Sequence, residues 1–325
     1  MLPVPAKDYP RTWNEFLDWF GNEEACQSYL ERLRWPDGFV CPSCGHREMP
    51  YRASRLRLMC RQCSHQASIT AGTIFDKTRT PLRVWFAAAW YLTNQKQGVS
   101  ALGLQRVLGL GSYQTAWTML HRLRRAMVRP DRDQLKGHVE VDETYLDITD
   151  RQRLTNSSKR KSNTTKLLVV IAVELLEPKG FGRIRLRQIP KEAEAHLLPF
   201  IQECVAVGSK ISTDGSAAYR SVAAEGYNHQ RHVMLSSDTP AHVSMAGVHR
   251  VASLIKRWMM GTHHGAIQPN QIGSYLDEFV FRFNRRTSRS RGMLFYRLMQ
   301  QAVATNPVTY DDVTGRKPLK SGDWS

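Results

Sequence analysis

The chain has 325 residues, 42% of them hydrophobic, enough for two or three domains with at least one sizeable core. Its 46 Lys and Arg against 29 Asp and Glu leave a net charge of +17, which sets aside an ordinary metabolic enzyme and favours a polyanionic partner, nucleic acid first. The apolar run VWFAAAWYLT at 84–93 is about half of what a bilayer needs, and MLPVPAKDYPRTW lacks a secretory signature, so a cytoplasmic protein with reduced cysteines and no membrane contact is expected.

Residues 12–33 carry helical periodicity, with Phe16, Trp19, Phe20 and Leu30 as apolar points, and 1–36 reads as an N-terminal helical segment. At WPDGFVCPSCG the character changes. Cys41-Pro-Ser-Cys44 and Cys60-Arg-Gln-Cys63 are separated by fifteen residues. Zinc takes four ligands in a tetrahedron, and two knuckles that each bite with two thiolates supply it, so a structural Zn²⁺ ribbon is expected over 37–70. Cys26 and Cys204 fall on helical patterns and read as buried thiols.

Residues 81–96 and 100–128 read as helices, the second broken at Gly109-Leu110-Gly111. Ser100 and Ser112 are placed as caps. Ala116, Leu120, Leu123 and Met127 form one apolar stripe, with Gln114, Thr115 and Arg122 off it. The region 80–130 is thus helix-turn-helix-like, a candidate DNA-binding unit, with a plain packing hairpin as the alternative.

From 138 the period shortens. HVEVDETYLDI is strand-like, KLLVVIAVELL (166–176) suits a strand covered on both faces, and EPKGFGR turns it into RIRLRQI as a hairpin. A helix over EAEAHLLPFIQECVAVG, the strand SKISTDG, a helix over 216–225, a strand at QRHVML and two closing helices follow. The order βββαβαβα predicts an α/β fold: a mixed sheet with helices on both faces, over 136–302, and a tail at 303–325. RQRLTNSSKRKSNTTK (151–166), with six basic residues and no acid, reads as a mobile loop.

Asp142 stands mid-strand, where a charge costs several kcal/mol unless it is paired or metal-bound. Asp214 ends a short strand before Gly215, within reach of a ligand. Two such carboxylates on adjacent strands can hold divalent ions for in-line attack on a phosphodiester, although each alone also suits a turn, a cap or an ion pair. Glu140 and Glu143 flank Asp142 and are both expected on the opposite face of the strand.

The succession of ribbon, TAWTMLHRLRRAM, VEVDETYL, STDGSAAYR and LIKRWMMGTHH…YLDEFVFRFNRR resembles a family of bacterial insertion-sequence transposases with an N-terminal zinc ribbon and an RNase H-like DDE domain, over about residues 15–300. The resemblance implies a catalytic set of Asp142, Asp214 and His249, with Lys256 seven residues on holding a DNA phosphate. It also implies Mg²⁺ or Mn²⁺ at the two aspartates, terminal inverted repeats and target DNA as partners, and a dimer or larger on DNA. Arg257, Arg122 and Arg285 join Lys256 as candidate DNA contacts. Where the family commonly carries glutamate and an aromatic pair, this chain has His249, Val251 and Ala252. Imidazole is a poor ligand for Mg²⁺ and a reasonable one for Mn²⁺, and it titrates near neutrality. His249 therefore reads as the third site residue, as a packed helix residue in a degenerate DNA-binding relic, or as displaced by Asp277 or Glu278.

Overall fold

The computed structural model describes residues 3–54, 57–129, 132–149, 164–232 and 245–314. The chain divides into two compact units, Met1–Arg129 with Ser288–Ser325, and Pro130–Thr287.

In the first unit, the periodic stretch at 12–33 is two helices, α1 (Trp13–Trp19) and α2 (Glu23–Arg34). The break has a local cause: Gly21 ends one helix, and the Asn22 side chain accepts the Ala25 N–H at 2.9 Å to start the next. Strands β1 (Tyr51–Ala53), β2 (Arg57–Met59) and β3 (Gln66–Ser68) form an antiparallel three-stranded sheet. Helices α3 (Leu82–Asn94), α4 (Ala101–Leu108) and α5 (Tyr113–Arg125) follow and pack on one another. Ser100 and Ser112 cap α4 and α5 as expected, and Gly109, at φ +62°, supplies the left-handed residue that ends α4.

The second unit is built on one mixed sheet. Its strands are β4 (His138–Thr149), β5 (Thr164–Leu175), β6 (Phe181–Ile189), β7 (Lys210–Asp214) and β8 (Asn228–His232), in the spatial order β6-β5-β4-β7-β8. β4, β5 and β6 are antiparallel neighbours, while β7 and β8 run parallel to β4 and to each other. Helix α6 (Glu194–Cys204) covers one face, and α7 (Ala246–His263) and α8 (Ile272–Asn284) the other. The apolar run in β5 serves both layers. Val169, Ile171 and Val173 face Val248, Val251 and Ile255 of α7, whereas Leu168, Val170 and Ala172 face Leu197, Phe200 and Ile201 of α6. Each such fully buried side chain is worth about 1.5–3 kcal/mol, so this one strand anchors two cores.

Residues 216–225, expected as one helix, form two 3₁₀ turns, Ala217–Tyr219 and Val222–Glu225. The tighter winding lets Ser216 fold back on Asp214 while Tyr219 enters the core. The expected loop at 151–166 and the end of QRHVML fall largely outside the described residues.

The chain ends with α9 (Arg291–Ala304) and α10 (Tyr310–Thr314). The expected boundary at 302 would place α9 with the mixed sheet, yet it packs on α2 and α3. Phe295 explains this: its ring lies 5.6 Å from Phe16, 5.9 Å from Phe86 and 5.6 Å from Trp90, inside an aromatic cluster that belongs to the first unit.

Candidate active site

β4 and β7 pair over His138↔Lys210, Val139↔Ile211 and Glu140↔Ser212. Two residues beyond the last pair, on the same face of each strand, stand Asp142 and Asp214. They occupy the crevice that opens where parallel strands part at their carboxyl ends, the usual ligand position in an open α/β sheet. Asp142 accepts the Glu143 N–H at 2.8 Å, and Asp214 accepts the Ser216 N–H at 3.0 Å. Burial raises the Asp142 carboxyl above the ordinary range; the Glu143 N–H lowers it, Asp214 raises it, His249 lowers it and Glu192 raises it. Asp214, Glu192 and His249, from separate segments of the chain, therefore all act electrostatically on Asp142.

Four further residues adjoin this crevice. The Ser216 hydroxyl donates to Glu192, and the hydroxyl of the fully buried Tyr219 donates to Glu143. Burial pushes the Glu143 carboxyl up to about 7; the Tyr219 bond opposes this, and Asp142, Glu192 and Asp214 add to it. The short turn after β7 therefore ties Asp214, Glu192 and Glu143 into one acidic group within a chain of net charge +17.

Glu140 overturns its expectation. Residues 140 and 142 are two apart and share a face, so Glu140 points with Asp142, towards α7. Its carboxylate accepts the Val248 N–H at 2.9 Å, in the first turn of α7, where a negative charge suits the helix dipole. Burial raises Glu140, whereas the Val248 and Gly247 N–H groups and His249 lower it. The same contact fixes the start of α7 and hence the exposed His249. Lys256 and Arg257, two turns along, are exposed as well.

The alternative third carboxylates are committed elsewhere. Glu278 is fully buried and bonded to Arg282 at 2.8 Å. Asp277 sits near Arg132, with burial raising it to about 6. Of the arginines, Arg122 is half-buried and donates to the Ile74 and Asp76 carbonyls at 3.1 Å each, an internal anchor. Arg285 stacks 4.1 Å from the Phe281 ring and donates to the Phe281 carbonyl.

The four cysteines converge. The Cys41 and Cys63 sulfurs lie 3.6 Å apart, as do those of Cys44 and Cys60, and all four lie within 4.8 Å of one another. A zinc tetrahedron with bonds of about 2.3 Å has edges of about 3.8 Å, so the set fits the ion. The knuckles repeat the same turn: the residues after Cys44 and Cys63, Gly45 and Ser64, are left-handed at φ +74° and +58°. Burial raises the Cys41 thiol, but the Cys44 and Ser43 N–H groups and the Cys63 and Cys44 sulfurs outweigh it and hold it near about 6. Among the described residues no other set of three or more His, Cys, Asp and Glu groups is this compact; Asp142, Asp214 and His249 do not all close to that distance.

Two family models match the chain. Residues 134–284 fit the ISXO2-like transposase domain, and residues 21–66 the transposase zinc-ribbon domain. The chain belongs to the insertion-sequence transposases. It is also similar to an uncharacterized protein in the transposable element ISH50 of Halobacterium salinarum, 25% identical over 276 residues, which cover 81% of this chain and 91% of that one. Among the described residues no helix is long and apolar enough to cross a membrane.

Proposed function

We propose that this transposase cuts and joins the ends of its own element at the β4/β7 crevice, with Asp142, Asp214 and His249 as the catalytic set of an RNase H-like DDE domain. The observation that carries the reading is the placement of Asp142 and Asp214, 72 residues apart in sequence, on one face at the carboxyl ends of parting parallel strands, with His249, 35 residues on, acting electrostatically on Asp142. Oxygen ligands suit Mg²⁺ or Mn²⁺, and a pair of ions about 4 Å apart needs a wider ligand set than one zinc, in keeping with carboxylates that do not close on a single point. Such ions, when bound, lower the pKa of the attacking group and stabilise the leaving oxygen.

Asp142 and Asp214 would hold the ions, and His249 would complete the set from α7. In the first reaction water attacks a phosphodiester at the element end, the P–O3′ bond breaks and a 3′-hydroxyl is released. In the second that hydroxyl attacks a target phosphodiester, forming one bond and breaking one, so no outside energy source is needed. Lys256 and Arg257 lie on the exposed side of α7, where they can grip DNA phosphate. Two ends must meet, so the working form on DNA is at least a dimer.

The imidazole at 249 also favours a second reading, a DNA-binding relic that no longer cuts. One assay separates the two: cleavage and strand transfer on duplexes carrying the element's ends, in Mg²⁺ and in Mn²⁺. Joining by the wild type, lost in Asp214→Ala and in His249→Ala, supports the transposase. End binding without cutting, with cutting restored by His249→Glu, establishes the relic.

A further inference from the structure

The β4/β7 crevice, with Asp142, Asp214 and His249, offers two carboxylates and one imidazole. Divalent ions of the Mg²⁺ class take oxygen ligands and anionic charge, which a neutral imidazole does not supply. Nearby acids are mostly spent. Glu278 is bonded to Arg282, and Asp277 interacts with Arg132. Glu143 alternates to the face opposite Asp142, where its carboxylate accepts the Tyr219 hydroxyl.

The course of the chain brings a different carboxylate to the same end of the sheet. β6 is antiparallel to β5, which is antiparallel to β4, so β6 runs in the direction of β4. Its last residue, Ile189, pairs with Leu168, and Leu168 pairs with Tyr145, three residues and about 10 Å beyond Asp142. The chain therefore leaves β6 at the end where the aspartates stand. α6 then runs back to the other end, where Val205 meets Leu135. The connection 190–193 is left beside the crevice, with Glu192 exposed in it.

Ser216 joins the two sides. Its N–H donates to Asp214 at 3.0 Å and its hydroxyl donates to Glu192, while the hydroxyl oxygen accepts the Ala218 N–H at 3.3 Å. One residue thus touches both carboxylates. Glu192 is also among the charges that act on Asp142 and on Glu143. Among the described residues it pairs with no Lys or Arg, although the chain has 46 of them. Its negative charge is left for the crevice.

We propose that Glu192 is the third carboxylate of the β4/β7 crevice and holds the divalent ions together with Asp142 and Asp214. This rests on the transposase reading above. The three do not close within 4.8 Å of one another, as a site for two ions does not require. Three carboxylates offset three of the four charges on two such ions, so Mg²⁺, which imidazole holds poorly, stays usable.

The test is Mn²⁺ binding by the zinc-loaded full chain, read from the electron paramagnetic resonance signal of the free ion, with Mg²⁺ as competitor and without DNA. Glu192→Gln is expected to weaken both ions by about tenfold or more. Ser216→Ala removes the same hydrogen bond but keeps the carboxylate, and should stay within about threefold of wild type. Glu194→Gln, in the first turn of α6, controls for surface charge and should stay within about twofold. Melting curves without added ion, equal to wild type, show that these variants are folded. The proposal is overturned if Glu192→Gln binds as tightly as Glu194→Gln does. It is also overturned if Ser216→Ala loses as much as Glu192→Gln, since Glu192 is then a hydrogen-bond partner only. Asp214→Asn keeps the two claims apart. Binding weakened by Asp214→Asn but not by Glu192→Gln sinks Glu192 alone, and a wild type that takes up no Mn²⁺ sinks the crevice as an ion site.

Discussion

At Gly247 the backbone of α7 lies tight against the sheet, and adding one methyl group there tests how the site is held. A Cβ on Gly247 would fall 2.8 Å from Glu140 Oε2, 3.0 Å from Leu175 Cδ2 and 3.3 Å from Val173 Cγ1. Ordinary contacts lie at about 3.5–4.0 Å, so in Gly247→Ala the helix has to lift by roughly 0.5–1 Å. Overpacking of this kind costs about 1–3 kcal/mol, and weakening the bond from Val248 N–H to the Glu140 carboxylate adds about 1–2 kcal/mol. The lift carries His249 away from Asp142, and a misplacement near 1 Å at a reacting centre costs about 100-fold in rate. Gly261, in the same helix, has no atom within 4 Å of its would-be Cβ and serves as the control. Gly261→Ala should stabilise the helix by up to about 1 kcal/mol. Hydrogen exchange over 245–263 reads the stability, and single-turnover strand transfer reads the geometry. Equal exchange and equal rates for the two alanine variants would refute the claim that this contact positions the third residue.

Removing zinc, by chelation or by Cys63→Ser, should expose the amides of 41–68 to exchange while those of β4 and β5 keep their protection; loss of protection in both would show that zinc does more than hold the ribbon. Arg122→Ala should destabilise the first unit by about 1–3 kcal/mol, because two internal carbonyls lose a charged donor, and a melt that does not move would contradict its role as an anchor. Asp277 makes stability pH-dependent in a defined direction. Burial raises its carboxyl from 3.8 to about 6, so the stability carried by its protonated form is full below pH 3.8 and is lost as pH rises through 6. The difference of roughly two units corresponds to at most about 3 kcal/mol. Asp277→Asn should therefore gain on wild type between pH 4 and 6.5 and hold that gain above it; a pH-independent difference would contradict the assignment.

The features legible in the sequence are those where one residue type has a single economical use. Four cysteines in two close pairs imply one ion, and the sulfurs do converge. An unbroken apolar run implies a strand covered on both faces, and β5 sends alternate side chains into two cores. Asp142, a charge in the middle of an apolar strand, was readable as a candidate site residue, and Asp214 stands on the same face of the neighbouring strand. Glu192, Ser216 and Tyr219 carried no such signal, because each acts only through a turn whose path depends on the whole sheet. Arg122 had a readable signal that helical spacing supplies: Met119, three residues before, and Ala126, four after, are both buried, so the side chain between them points inward. The same arithmetic at period two puts Glu140 beside Asp142. The N-terminal helix break was also in view as Gly21-Asn22, a stop followed by a cap. The packing of α9 with the first unit was not, since it rests on a ring cluster assembled from α1, α2, α3 and α9.

Divalent ions held in the β4/β7 crevice can be located by the damage they do. Loading the protein with Fe²⁺ in place of Mg²⁺ and adding ascorbate and peroxide generates hydroxyl radicals at the bound ion, which cut the nearest backbone whether or not the enzyme is active. Cuts are expected around 140–144, 212–216 and 247–251, suppressed by excess Mg²⁺ and absent in Asp142→Asn with Asp214→Asn. Cuts confined to other segments, or a pattern unchanged in that double variant, would contradict an ion site in the crevice.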